Sequence, residues 1–150
     1  MKAAALQHVR SNNRAGEHSI IKTIGAVIAG LVTWIFVATV INLPLRAGWP
    51  HYHDAETALN FTLGMKLARL VLGALSSLCG GFVAGWITRG RTVAATALGI
   101  VLLTVFVPNH YLLWAKFPVW YHLAFLVPLA PLVALGASLP TRIKNQTASA

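Results

Sequence analysis

Four of the six histidines, together with a few basic residues, are the side chains in this sequence with chemistry to offer. His51-Tyr52-His53-Asp54 sets two imidazoles and a carboxylate within four residues. These are ligand types for Zn²⁺, Cu²⁺ or Ni²⁺. With His110 and His122 they define a candidate metal set of His51, His53, Asp54, His110 and His122. The His-x-His spacing suits a strand better than a helix, because alternate residues share a face only in a strand. The competing reading treats these side chains as interfacial, with apolar bodies and polar tips in a headgroup region. A haem would need two histidines facing each other within the apolar segments. Only His110 and His122 come near that, and both lie at segment edges.

A second group is cationic. Lys66 and Arg69 stand one turn apart at the start of an apolar segment. Arg69 lies four residues before Gly73, on the small-residue face, so it is expected to point into a bundle. An ionisable residue in such a segment is a functional candidate. With Lys116 and Arg46 it would form a patch able to hold an anion, a lipid phosphate or a carboxylate, with the guanidinium as the bidentate part. The alternative is snorkelling of Lys66, Arg69 and Lys116 to lipid phosphates, with pairing to Asp54 or Glu56.

Other chemistries lack their residues. Neither GxGxxG nor GxxxxGK[ST] occurs, and there is no GxSxG elbow. The one cysteine, Cys79, excludes a disulfide framework and is expected to be buried and inert. No acidic residue falls inside an apolar segment, which argues against a proton-coupled carboxylate carrier. No enzyme activity and no cofactor are expected.

The elements that must position these residues follow from composition. Of 150 residues, 57% are hydrophobic and 10% charged, with 12 Lys or Arg against 3 Asp or Glu. So few charges cannot cover a soluble domain. Charge-free gaps run from Lys22 to Arg46, Arg69 to Arg89, Arg91 to Lys116 and Lys116 to Arg142. Each is long enough for a helix to cross roughly 30 Å of hydrocarbon. The expected fold is all-α, an integral membrane four-helix bundle with spans near 20–45, 63–88, 92–108 and 119–139. Residues 1–19 are read as a basic cytoplasmic tail and 141–150 as a short, frayed one, flanking a transmembrane domain over 20–140.

Orientation comes from the basic residues. Lys2, Arg10, Arg14, Lys22, Arg89, Arg91, Arg142 and Lys144 fall on one side, and Arg46, Lys66, Arg69 and Lys116 on the other. The positive-inside rule makes the first set cytoplasmic, giving N-in and C-in. Trp49, Tyr52, Tyr111, Trp114, Trp120 and Tyr121 are expected at the outer interface and Trp86 at the inner one. The basic charge is explained by topology, so no nucleic-acid partner is expected. The lipid bilayer and its anionic headgroups are the expected partners.

Helix association in lipid relies on close packing of small residues. Gly73, Ser77, Gly81 and Gly85 recur every fourth residue in the second span, a helix-packing stripe. It serves packing inside the bundle or a homo-oligomer face. Pro44 and Pro108 are read as helix ends, and Pro128 and Pro131 as bends in the last span.

The run Gly80-Gly81-Phe82-Val83-Ala84-Gly85, a basic turn, and Ala94 to Gly99 resemble the central hairpin of small four-helix bacterial inner-membrane proteins of unknown function. Trp120-Tyr121-His122 opening a proline-containing last helix is also similar. The resemblance covers roughly the last half of the chain. It implies a multi-pass protein of the bacterial inner membrane and brings no catalytic residue. The sequence reading is a non-enzymatic accessory or scaffold protein that contacts membrane partners or anionic lipid. A small-solute transporter or channel working as an oligomer, and a metal or haem protein using the outer histidines, are the alternatives.

Overall fold

The computed structural model describes the backbone of residues 2–147 and the side chains of residue 16 and residues 19–147. It is all-helical, in the order α1 (Lys2–Gly48), α2 (Tyr52–Ala58), α3 (Leu63–Thr88), α4 (Thr92–Leu112) and α5 (Val119–Thr147). Four stretches are long and apolar enough to cross a membrane: Ser19–Gly48, Leu63–Thr88, Thr92–Leu112 and Val119–Thr147. The shortest, with 21 residues, is about 31 Å long at 1.5 Å per residue.

The second expected span coincides with α3, whose ends are written locally. Thr62, extended at ψ 167°, caps its start by accepting from Met65 N. Arg89 in the left-handed region and Gly90 at φ 80° end it, Gly90 N donating to Gly85 O. Gly90 is required there, because a Cβ would add left-handed strain and meet the Thr141 side chain.

Four expected boundaries are corrected. α1 continues through Pro44 to Gly48, α4 through Pro108 to Leu112, and α5 through Pro140 to Thr147. A proline removes one ladder bond, and where the surroundings are apolar a helix that persists loses less than one that unwinds. The last tail is therefore helical as far as Thr147. The first stretch, read as a tail before residue 20, is continuous with α1 from Lys2. The side chains of Lys2, Arg10 and Arg14 lie outside the described ones, so their expected contact with headgroups does too.

α3 packs along both α1 and α5, α4 packs along α5, and α1 and α4 touch over less of their length. The half of the bundle bearing the α3–α4 turn is closed by small residues. A Cβ on Gly81 would collide with the Val133 backbone, one on Gly85 with Ala137, and one on Gly136 with Leu78. Gly30 and Gly80 face each other, each Cβ falling within 3 Å of the other's carbonyl oxygen. Such backbone-to-backbone approach is what small residues permit. The Gly73, Ser77, Gly81 and Gly85 stripe is buried within one chain. Gly81 and Gly85 meet α5, Gly73 meets the Phe125 ring, and Ser77 accepts from Trp34 Nε1 at 3.1 Å. Around this seam lies a core of Ala26, Ala84, Leu98, Leu102, Leu129 and Val133.

The opposite end is built differently. Tyr52, Ala55, Phe61, Met65, Phe117 and Tyr121 form a separate aromatic cluster under α2. Tyr52 and Tyr121, expected at the interface, are 0% and 6% exposed. Their position at helix ends is right, but the cap covers them and their hydroxyls face polar groups inside. Trp49, Tyr111, Trp114, Trp120 and Trp86 are partly to largely exposed. Cys79, expected to be buried, is exposed on the outer surface of α3, between the two packed faces.

Candidate functional site

Between the aromatic cap and the small-residue seam lies a cavity of about 510 Å³. The seam glycines let the helices meet closely in one half. In the other half bulky Phe106, Phe125 and Trp34 hold them apart. The floor is apolar: Trp34, Leu72, Phe106 and Phe125. Trp34 sits midway along Ser19–Gly48, so the cavity reaches the middle of the bundle. Its exposed lining residues are Thr39, Leu43 and Arg46 on α1 and Asn109 on α4. They put the opening between α1 and α4, which pack over less of their length than α3 does with α1 or α5.

The mouth is polar and organised by Glu56 of α2. Its Oε2 meets Arg46 Nε at 2.9 Å, and its Oε1 accepts from Arg69 NH1 and from Asn42 Nδ2, each at 3.2 Å. Asn42 Oδ1 in turn accepts from the Tyr52 hydroxyl at 3.2 Å. Two guanidinium groups face one carboxylate, so the mouth keeps one net positive charge. Arg69 also lies 4.7 Å over the Phe61 ring, and Tyr52 and Tyr121 are within its electrostatic reach. It is held by flat apolar and phenolic groups, so a guanidinium face is already oriented towards the cavity. α2 is thus tied to α1 and α3 by one side chain, and its flanking residues His51 and Leu59 both take positive φ to make the turns.

Of the three cationic candidates, Arg69 lines the cavity. Lys66 is partly exposed and Lys116 exposed, and neither lines it. The metal candidates separate. His51 faces Asp54 at 3.6 Å on the open surface, with side chains 88% and 80% exposed. His53 Nδ1 stands 2.9 Å from Arg46 NH2. His110 and His122 are buried and face each other, Nδ1 to Nδ1, at 2.8 Å. Among the described residues no three His, Cys, Asp or Glu side chains gather as a metal site. The proposed set falls into three separate pairings because α2 turns the first loop outward from α4 and α5. Two imidazole nitrogens hydrogen-bonded to each other also leave no room for an iron between them.

Sequence reasoning missed Asn42 as the partner of Glu56, and Tyr52, Phe61, Trp34 and Tyr121 as part of the site. The expected pairing of the cations with Asp54 or Glu56 resolves to Glu56 for Arg69, while Asp54 stays on the surface beside His51. Comparison with protein-family models, with curated proteins and with solved structures finds no match.

Proposed function

We propose that the chain is a non-enzymatic multi-pass protein of the bacterial inner membrane, N-in and C-in, that takes up an amphiphile with an anionic oxygen headgroup. The ligand enters sideways from the outer leaflet, between α1 and α4. Its apolar part lies against Trp34, Phe106 and Phe125, and its headgroup meets Arg69. One observation carries this reading: a cavity with an apolar floor and a positively charged mouth opens where two apolar helices part. Its volume falls in the range of sites that bury one small molecule. Four apolar helices and the basic residues grouped at the turn between α3 and α4 support the placement. An accessory role, presenting or holding lipid for membrane partners, fits such a site.

The test is lipid analysis of protein extracted in mild detergent. Arg69→Ala is expected to lose the co-purifying anionic amphiphile, whereas Lys66→Ala and Lys116→Ala retain it. Equal lipid content in all four proteins would refute the assignment. A carrier working as an oligomer is the second reading, favoured by the depth of the cavity at Trp34. Against it stands the seam, where Gly81, Gly85 and Gly136 pack on opposing backbone and leave no continuation of the path.

A further inference from the structure

The two buried histidines beside the cavity are not explained by packing alone. His110 is 8% exposed and lines the cavity, and His122 is fully buried. Their Nδ1 atoms are 2.8 Å apart. A bond of that kind needs a proton on one nitrogen and a lone pair on the other. The far nitrogen of His122, Nε2, is buried and has no hydrogen-bond partner. The His122 ring stacks on Trp114 at 4.7 Å with a 12° tilt, and Phe117 stands edge-on to it.

These facts select a tautomer. If His110 supplied the shared proton, neutral His122 would carry its own on Nε2, a buried N–H with no acceptor. Orphaned buried N–H groups are among the rarest features of folded proteins. If His122 supplies it from Nδ1, the orphan is a lone pair, which costs less. His110 then accepts at Nδ1 and must hold its own proton on Nε2, the nitrogen left to face the cavity.

We infer that His110 Nε2–H is a second ligand-binding donor of this cavity, directed at an oxyanion oxygen, and that His122 is the positioning residue that fixes it. The inference rests on the cavity being a binding site for an anionic amphiphile. Tyr121 links the two donors, since it stacks on the His110 ring at 6.1 Å and lies against Arg69. The headgroup class that suits a guanidinium plus a neutral N–H is a carboxylate or phosphate oxygen pair, not a cationic or donor-rich head.

The test uses the amides that imitate single ring nitrogens. Asn places its NH₂ near the Nδ1 position and Gln near Nε2. Full-length protein in phosphatidylcholine discs is titrated with radiolabelled oleate and with 1-oleoyl lysophosphatidate, and inorganic phosphate is added as a competitor. His110→Gln and His122→Asn are expected to bind within about threefold of wild type. His110→Asn, His110→Phe and His122→Phe are expected to lose about tenfold, the size of one hydrogen bond. The reverse pattern of rescue, or equal binding by every variant, overturns the inference while leaving the Arg69 site intact. Displacement of oleate by phosphate with the same rescue pattern supports the donor and assigns the anion to a free source. If wild type binds neither amphiphile, the site reading falls and this inference with it. Independently of ligand, ¹⁵N-histidine NMR should find His122 protonated on Nδ1 and His110 on Nε2. Two Nε2–H forms would overturn the assignment.

Discussion

Gly81→Ala adds one methyl group where α3 meets α5. The new Cβ would stand 2.9 Å from both Cα and C of Val133, with the Val133 carbonyl oxygen closer still. Ordinary contact begins at 3.4 Å, so α5 must retreat by at least 0.5 Å, and by more than 1 Å once the oxygen is cleared. A gap of that size removes at least a quarter to a half of each pairwise attraction along the seam. Leu129, Val133 and Ala137, all 4% exposed or less, share the loss. Overpacking of this kind costs about 1–3 kcal/mol. The upper end is expected here, because the obstacle is backbone, which cannot rotate away. Gly25→Ala is the control. Nothing lies within 4 Å of a Cβ there, so it should stabilise, by up to about 0.8 kcal/mol from helix propensity. Reversible unfolding in mixed micelles, followed by far-ultraviolet circular dichroism, measures both. If Gly81→Ala and Gly25→Ala shift the midpoint equally, the seam argument is wrong.

Three more outcomes follow from particular contacts. Glu56→Gln removes the one carboxylate between Arg46 and Arg69 and leaves a second net positive charge at the mouth. It should lower stability by about 1 kcal/mol, since the pairs are partly solvated, yet tighten oleate binding several-fold in the disc assay. Ser77→Ala leaves Trp34 Nε1–H buried without its acceptor. The expected cost is about 1–3 kcal/mol, more than for Ser77→Ala introduced into Trp34→Phe, and a double-mutant cycle reads the difference. On a Cys79→Ser background, Asp54→Cys should react with an impermeant maleimide on whole cells. Arg91→Cys should react only after permeabilisation, and the opposite pattern would invert the topology.

The helices were legible because charge and length act locally. α3 could be read to the residue, since Thr62 caps it and a basic turn with Gly90 closes it. Pro44 and Pro108 misled because proline ends helices reliably only where water can take over the freed carbonyl. α2 has seven residues and no periodicity to detect. Arg69 was readable as inward-facing from its four-residue step to Gly73. Its pairing was readable as a choice between Asp54 and Glu56, and the structure takes Glu56. Which of the two acids turns inward depends on the short α2 and its left-handed end at Leu59, which no periodicity announces. The His110–His122 contact joins two helices whose register depends on α4 passing through Pro108. A helix stopping at Pro108 leaves His110 in a loop, where a buried imidazole pair has no reason to form.

An amphiphile that occupies the interior between α1 and α4, as proposed, can be told from one that merely coats the bundle by oleate carrying a photoactivatable diazirine near its tail. After brief illumination of the full chain in phosphatidylcholine discs, peptide mass spectrometry locates the adducts. Labelling of Trp34, Leu72, Phe106 and Phe125, lost in Arg69→Ala, is the predicted result. Adducts confined to outward-facing residues such as Ile28, Ile35 and Ile100, unchanged by that substitution, would rule out an interior site.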